Sequence, residues 1–382
     1  NYTTSNGWAL DGGITHVNLN QETAGFVTGF ESYKGASRTG NPNPEAHRDS
    51  KNTRAWTTFT KTLGDWDVVL TPYVRDIDMN FIQHFLPGQP VEETTHQSIG
   101  LQSVAFTDLA NGAQLAVGFD AEVTDGSLTQ TQPNPTAGSF FLRNSIPQGK
   151  HYDYQVDIEQ VAAFVSYEQN FQSGWDLSLG LRVEDTNYDY DNRMIDGRTD
   201  EFGVACRFGC RYNRPGDRSD SFTNLSPKLG LSYALNDFHS VQLRAQRGFR
   251  APQASEMYRL QNDQTIADLD SVELDSYEVE FKGAGEGWAY SAGYYFMDKQ
   301  NEIVTNSARV NLNNSHTQHT GLEFSLGLDI TETLALAAVY NFAEHTYENS
   351  EISGGIDIQG NNVDTAPRQF GNLRLRWTPS ER

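Results

Sequence analysis

The chain has 382 residues, with 28 Lys and Arg against 50 Asp and Glu, which gives a formal net charge of −22. This charge excludes a nucleic-acid binder, because phosphate binding requires clustered lysines and arginines. No run of about 18 apolar residues occurs, which excludes a transmembrane helix. With 6 Trp, 17 Tyr and 21 Phe, the sequence is too aromatic for a disordered chain.

Alternation of apolar and polar residues with a period of two is the dominant pattern. In the segments 115–123, 175–184 and 322–330, apolar side chains take one set of alternate positions and charged or small side chains take the other. This spacing places the two sets on opposite faces of a strand. The pattern predicts about fifteen strands, near residues 8–18, 22–34, 51–61, 66–79, 95–107, 113–124, 157–170, 175–188, 222–234, 239–248, 273–283, 288–299, 317–329, 334–346 and 367–378.

The connections between these strands alternate strictly between short and long. Short turns are predicted near residues 63–65, 108–112, 172–174, 236–237, 285–286 and 331–332. Long loops are predicted near 35–50, 80–94, 125–156, 189–221, 249–272, 300–316 and 347–366. An antiparallel up-and-down β-barrel of an outer membrane has this arrangement, with short periplasmic turns and long extracellular loops. A soluble sandwich, the alternative, has no reason to place every long loop at one end.

The chemistry of the two faces also favours a membrane barrel. In lipid every backbone polar group must be paired internally, so a closed barrel is the β-structure that can span a bilayer. The apolar stripes carry almost no charge, as a lipid-facing surface requires. Aromatic residues near strand ends suit an interfacial girdle. They are Trp66, Tyr167, Trp175, Tyr233, Trp288, Tyr340 and Trp377.

The two cysteines, Cys206 and Cys210, lie four residues apart in the predicted loop 189–221. No further cysteine is available for a zinc site. A local disulfide formed in an oxidising compartment is therefore expected, with two free thiols as the alternative.

Strand parity predicts that the chain is part of a larger barrel. Fifteen strands cannot close an even-stranded barrel. The first predicted strand precedes a short turn and the last follows a long loop, so both run toward the periplasmic side. An odd number of strands is then expected before Asn1, and an even number, zero included, after Arg382.

Several segments resemble the barrel of TonB-dependent outer-membrane receptors in order, spacing and content, most closely over residues 222–378. The resemblance implies a 22-stranded barrel that an N-terminal plug fills. Residues 1–382 are then expected to be a partial barrel domain that lacks the plug and the final strands. The segments that carry the resemblance are Asn224–Tyr233, Arg247–Pro252 with Glu256–Tyr258, Glu273–Glu280, Gly321–Glu323 and Asn372–Leu375.

The resemblance implies energy-coupled uptake of a scarce ligand rather than catalysis, and no catalytic motif or cofactor is expected. The implied partners are the TonB complex, acting through the plug, outer-membrane lipid and lipopolysaccharide, and the ligand. A ferric siderophore is the commonest ligand in the family, and haem, cobalamin and glycans are the others. A passive porin without a plug is a second interpretation. A soluble β-rich binding protein or glycan enzyme is a third.

The predicted ligand-binding residues lie at the outer end of one strand and in the loop after it. Arginine offers planar, bidentate donors to the oxygens of an anionic ferric complex, and tyrosine could stack on an aromatic ligand. The alternative is structural, with these arginines paired to nearby carboxylates. The residues are Arg247, Arg250, Gln253, Tyr258 and Arg259.

The histidines give no clear metal or haem site. Haem receptors carry a loop histidine after the Phe-Arg-Ala-Pro block, whereas here none occurs from Gln253 to Ser276. His316 and His319 are three residues apart on a predicted strand, so they face opposite sides and are poor joint ligands. His47, His84 and His151 lie in other loops, where a solvent-exposed role is expected.

Overall fold

The structure, a computed structural model, describes residues 2–306, 308–350, 352–353 and 356–379. Strands dominate this part of the chain. In chain order they are β1 (Tyr2–Thr3), β2 (Ala9–Glu22), β3 (His47–Leu63), β4 (Trp66–Ile82), β5 (Val91–Asp108), β6 (Ala113–Gln132), β7 (Gly149–Asn170), β8 (Trp175–Asn192), β9 (Tyr212–Asn213), β10 (Arg218–Asn236), β11 (His239–Arg250), β12 (Leu260–Gln261), β13 (Val272–Gly285), β14 (Trp288–Thr305), β15 (Asn311–Thr331), β16 (Leu334–Tyr347), β17 (Ile352–Ser353), β18 (Ile356–Asp357) and β19 (Gln369–Trp377).

Fifteen of these strands form one sheet in which neighbours in the chain pair antiparallel, with β1 and β19 at its edges. Two small strand pairs, β9 with β12 and β17 with β18, lie outside it. The described helices are short: α1 (Phe140–Arg143), α2 (Ala254–Tyr258) and the 3₁₀ turns Ser32–Lys34 and Ala36–Thr39. None of these helices is long and apolar enough to cross a membrane.

Fourteen of the fifteen predicted strands are confirmed, and the one at 22–34 is wrong. Gly29 and Glu31 have φ angles of 118° and 52°, which interrupt an extended backbone, and the 3₁₀ turns follow. Strand β2 therefore leads into a long loop, 23–46, rather than a short turn. The two-residue β1 occupies the position that runs toward the short-turn end.

The strands reach further into the predicted loops than hydrophobic alternation indicates. The ladder between β6 and β7 continues beyond the predicted ends to Gln132, opposite Gly149. The residues of this extension are polar on the outward face, and apolar residues such as Tyr154 and Val156 lie on the concave face. The lipid-facing apolar stripe therefore ends although the backbone pairing continues. The loops are correspondingly shorter, and only residues 306–310 separate β14 from β15.

From β3 onward, short and long connections alternate as predicted. Tight turns such as those at Gly64 and Gly287, with φ of 64° and 74°, join strands at one end of the sheet. Loops 133–148, 193–217 and 251–271 lie at the other end.

The sheet is curved, with a polar concave face. One cavity of about 490 Å³ is lined by residues of every strand from β3 to β8. Arg182 of β8 reaches across β7 to Asp120 of β6, with 2.6 Å between Nη1 and Oδ2. Arg75 of β4 likewise reaches across β5 to Glu122. Contacts that skip a strand form most readily where the inner faces converge.

The convex face is apolar and exposed, the reverse of a soluble protein. On β8 the residues Leu179, Leu181 and Val183 are each more than 40% exposed. The next position of this face is Asp185, so the apolar band has a sharp polar boundary. Trp66, Trp175, Trp288 and Trp377 lie at the strand ends nearest the short turns, where a girdle was predicted. The predicted apolar stripes are thus placed on the surface that lipid would cover.

Replacing Leu179 by Arg should lower the free energy of unfolding in lipid by about 2–4 kcal/mol, the cost of a charge at the bilayer midplane. Leu179 lies between Tyr167 and Leu229 in the apolar band. Denaturant titration of the intact receptor in phospholipid vesicles measures the change. Asp189→Arg, on the same face of β8 but outside the band, is the matched control and should be nearly neutral. Equal effects of the two substitutions would contradict the placement.

Candidate functional site

The buried core of the described residues lies at the loop end of the sheet. Loops 133–148, 193–217 and 251–271, here called the cap, pack on each other and on the concave ends of β7 and β8. Tyrosines dominate this core, and β9 and β12 pair two of the loops directly. Its members are Leu128, Ile146, Tyr152, Tyr154, Val156, Tyr188, Tyr190, Tyr212, Met257, Tyr258, Leu260, Ala267 and Leu269.

Hydrogen bonds from buried phenols hold the cap to the sheet. The Tyr258 hydroxyl donates to Asp220 Oδ2 at 2.8 Å, and the Tyr258 ring stacks on Tyr190 with centroids 4.2 Å apart. The Tyr188 hydroxyl donates to the Pro252 carbonyl at 3.0 Å. Burial raises the pKa of Tyr258, so its hydroxyl stays protonated and able to donate. The cap is therefore an ordered unit and not a set of independent loops.

A buried arginine stabilises the cap through hydrogen bonds to backbone carbonyls. Arg214 is 2% exposed and donates to the carbonyls of Ile195 at 2.7 Å and His151 at 3.2 Å. It also donates to the Thr199 hydroxyl at 2.8 Å. Burial lowers the pKa of Arg214, but the ring of carbonyl oxygens replaces the water that the guanidinium loses. Its role is structural.

Four of the five predicted ligand residues lie in one short segment at the foot of the cap, each with its own partners. Arg250 forms a two-pronged ion pair with Glu256, at 2.8 and 3.0 Å, and the Gln253 backbone N–H donates to the same carboxylate at 2.7 Å. Arg259 pairs with Glu92 at 2.8 Å, while Tyr258 is fully buried. Internal contacts thus engage these groups in the structure, and their role in ligand binding stays a prediction.

Arg247 is separated from this group. Its position on β11 alternates with Arg250, on the face that carries Leu243, so it lies on the convex side beyond the apolar band. It pairs with Asp275 at 2.7 Å and with Glu273 at 3.1 Å. The structure does not bring Arg247 to the concave side.

A surface that the sequence analysis did not select lies on the outside of the cap. Cys206 and Cys210 form a disulfide that closes a five-residue ring. Inside this ring Arg207 and Phe208 are exposed, and the Arg207 guanidinium lies 5.7 Å from the Phe208 ring centroid. Phe140 and Phe141 of α1 pack against Phe208, with ring centroids 5.8 and 5.7 Å away.

Two further arginines extend this surface. Arg211 directly follows the ring, and its pKa is lowered by burial and by the nearby positive charge of Arg309, in the loop after β14. The ion pairs of the described residues include neither of these arginines nor Arg207. These three arginines form, with Phe140, Phe141 and Phe208, the outer patch. The sequence signal that could have found it is the arginine and phenylalanine between the two cysteines.

The concave cavity beneath the cap is polar. Arg75, Glu122, His96 and Gln160 line it, and Tyr188 of the cap core closes its upper end. The Tyr73 hydroxyl donates to Glu122, which also accepts from Arg75. These paired groups suit a water-filled interior.

A curved antiparallel wall with an apolar convex face, a polar interior and a folded cap on its long loops defines the barrel wall of an outer-membrane protein. The family model described as TonB dependent receptor-like, beta-barrel matches residues 1–381. The chain belongs to this family. Its members are receptors of the Gram-negative outer membrane and transporters rather than enzymes, which confirms the predicted location and class.

Solved structures share the fold at low identity. The ferric citrate transporter FecA, unliganded, is 13% identical with a TM-score of 0.74, over 97% of this chain and 53% of that one. The ferric-catecholate import receptor Fiu from E. coli K12 is 13% identical with a TM-score of 0.68, over 98% of this chain and 60% of that one. The ferric yersiniabactin uptake receptor FyuA from Yersinia pestis is 14% identical with a TM-score of 0.63, over 98% of this chain and 54% of that one. The chain spans about half the length of these proteins.

Removing the Tyr258 hydroxyl should loosen the cap without disturbing the wall. In Tyr258→Phe the lost hydrogen bond to a carboxylate should lower the local opening free energy by about 2 kcal/mol. Amide hydrogen exchange in 193–217 and 251–271 should then become about 30-fold faster, with β7 and β8 unchanged. Tyr33→Phe, at an exposed ring, is the control. Unchanged exchange in both loops would show that this bond does not hold the cap.

Proposed function

We propose that this chain forms the wall and outer surface of a receptor that takes up a ferric siderophore by TonB-driven transport. The observation that carries the proposal is the outer patch, where Arg207 lies beside exposed phenylalanines and Arg309 lies near Arg211. Family membership and neighbours named for ferric citrate, ferric catecholate and ferric yersiniabactin support it.

Charge explains why such a patch would matter. A chain with a net charge of −22 repels anions over most of its surface. Anionic ferric chelates would therefore concentrate where guanidinium groups lack carboxylate partners. Arginine offers planar paired donors to chelate oxygens, and phenylalanine rings offer a face for aromatic chelating groups. The disulfide ring would hold Arg207 and Phe208 in place before binding, which reduces the entropy lost on binding.

In this proposal the predicted patch at Arg250 is a second, deeper contact. The cap would pass the ligand toward the concave cavity, where the plug that the family resemblance implies would sit. The TonB complex would supply the energy for passage by acting on that plug. Haem, cobalamin or a glycan as ligand, and passive flow through an unplugged wall, are outcomes that the following experiment separates.

The double variant Arg207→Ala/Arg309→Ala should weaken binding of an anionic ferric chelate at least about tenfold, because two unpaired cations are lost. Ferric citrate and a ferric catecholate are the probes, with binding and uptake measured on iron-starved cells that carry the intact receptor. Arg38→Ala, an exposed arginine in loop 23–46, is the matched control and should bind normally. Arg250→Ala, measured in parallel, tests the predicted patch, with weaker uptake expected and barrel assembly intact.

Unchanged affinity in the double variant would remove the outer patch from the proposal. Uptake that persists in cells without TonB would contradict energy coupling and favour a passive channel. Absence of binding to any ferric chelate would turn attention to haem, cobalamin or glycans.

A further inference from the structure

Two histidines that lie far apart in the sequence meet on the concave face. His319 of β15 and His345 of β16 are direct cross-strand partners. Their Nδ1 atoms are 2.7 Å apart. Without a bridging atom this contact requires one Nδ1 to carry a proton and the other to accept it. The ring nitrogens therefore converge on one point.

That convergence is close to the geometry of two ligands on one metal ion. With metal–nitrogen bonds of about 2.0 Å, two ligands of a tetrahedral ion lie about 3.3 Å apart. A small side-chain rotation provides the difference. The other ring nitrogen of His319, Nε2, lies 3.1 Å from the hydroxyl of Thr317, which is 2% exposed. A ligand histidine commonly donates its second N–H to such a partner, which fixes the ring.

A third donor lies in the same row. Met297 of β14 is the direct cross-strand partner of His319, so the three side chains lie side by side on one face of β14, β15 and β16. All three line one concave cavity of about 610 Å³. The nearby Lys299 is ion-paired with Glu302, which reduces its repulsion of a cation.

A third histidine of this region, His316, does not join the pair formed by His319 and His345. His316 lies on the opposite face of β15 and donates a hydrogen bond from Nε2 to Asp298 Oδ1 at 2.6 Å. As predicted, His316 and His319 do not point to one site. Sequence spacing hides the actual pair, because His319 and His345 are brought together by the register between strands.

We propose that Met297, His319 and His345 form a transition-metal site on the concave face, with a ligand set that favours Cu⁺. Two imidazoles suit several first-row ions, and a thioether selects the soft monovalent ion. The three ligands are neutral, so a singly charged ion also leaves less uncompensated charge in the wall. This site is separate from the outer patch, and the proposal does not depend on which ferric ligand the receptor carries.

Direct metal binding tests the proposal. The intact receptor, purified in detergent without a polyhistidine tag, is titrated with Cu⁺ against a chromogenic Cu⁺ chelator and separately with Zn²⁺. One equivalent of Cu⁺ is expected. His319→Ala or His345→Ala should lower the Cu⁺ affinity by more than the roughly 10–100-fold that is typical when a residue hydrogen-bonded to a metal ligand is substituted. His316→Ala is the matched control and should bind as the unaltered protein does. Heat-modifiable gel mobility confirms that each variant is folded.

Substitution of Met297 distinguishes a Cu⁺-selective site from a site in which the two histidines alone bind metal. Met297→Leu should weaken Cu⁺ binding at least about tenfold and leave Zn²⁺ binding unchanged. No Cu⁺ equivalent sensitive to His319 or His345 would overturn the proposal and leave a hydrogen-bonded histidine pair. An unchanged Cu⁺ affinity in Met297→Leu would overturn the assignment of Met297 and of Cu⁺.

Discussion

The architecture depends on one constraint, that the backbone hydrogen bonds of a membrane-embedded wall must be made within the wall. Lipid offers no partner for an N–H or C=O group, so unpaired groups there are costly. The thirteen strands between β1 and β19 in the main sheet meet the constraint through an antiparallel ladder that joins each of them to a neighbour on both sides. Once the ladder satisfies the backbone, side chains alternate freely between lipid and interior. The convex stripe of Leu179, Leu181 and Val183 and the concave row of Arg182 and Glu184 are two consequences of one ladder.

The same constraint moves the hydrophobic core away from the sheet. A wall with lipid on one side and water on the other buries few side chains, and the described core lies instead where the cap packs on the concave ends of β7 and β8. There the long loops reach an ordered packing through Tyr190, Tyr258 and the buried Arg214. Ordered loops allow side chains at their tips, such as Arg207, to be held toward solvent. Recognition and membrane insertion are thus assigned to different ends of the same strands.

Sequence periodicity could predict most of the wall, because a half-apolar strand carries its face pattern in adjacent residues. It failed at 22–34, where Gly29 and Glu31 turn the chain, and at the outer ends of β6 and β7, where the outward face is polar. The candidate site was harder to predict from the sequence. Arg250 and Arg259 could be selected as cations near a loop, but their partners Glu256 and Glu92 are set by packing. Contacts such as that between His319 and His345 depend on register, which no local pattern encodes.

The central claim is that odd and even positions of β8 face lipid and interior respectively. The most direct measurement is a nitroxide accessibility scan of residues 175–190 in the intact receptor in bilayers. Maxima of oxygen accessibility are expected at the odd positions from Trp175 to Val183, and minima at the even positions between them. From Asp185 onward the odd positions should become accessible to a water-soluble nickel reagent instead. A scan without a period of two, or with oxygen maxima at Gly180 and Arg182, would contradict it.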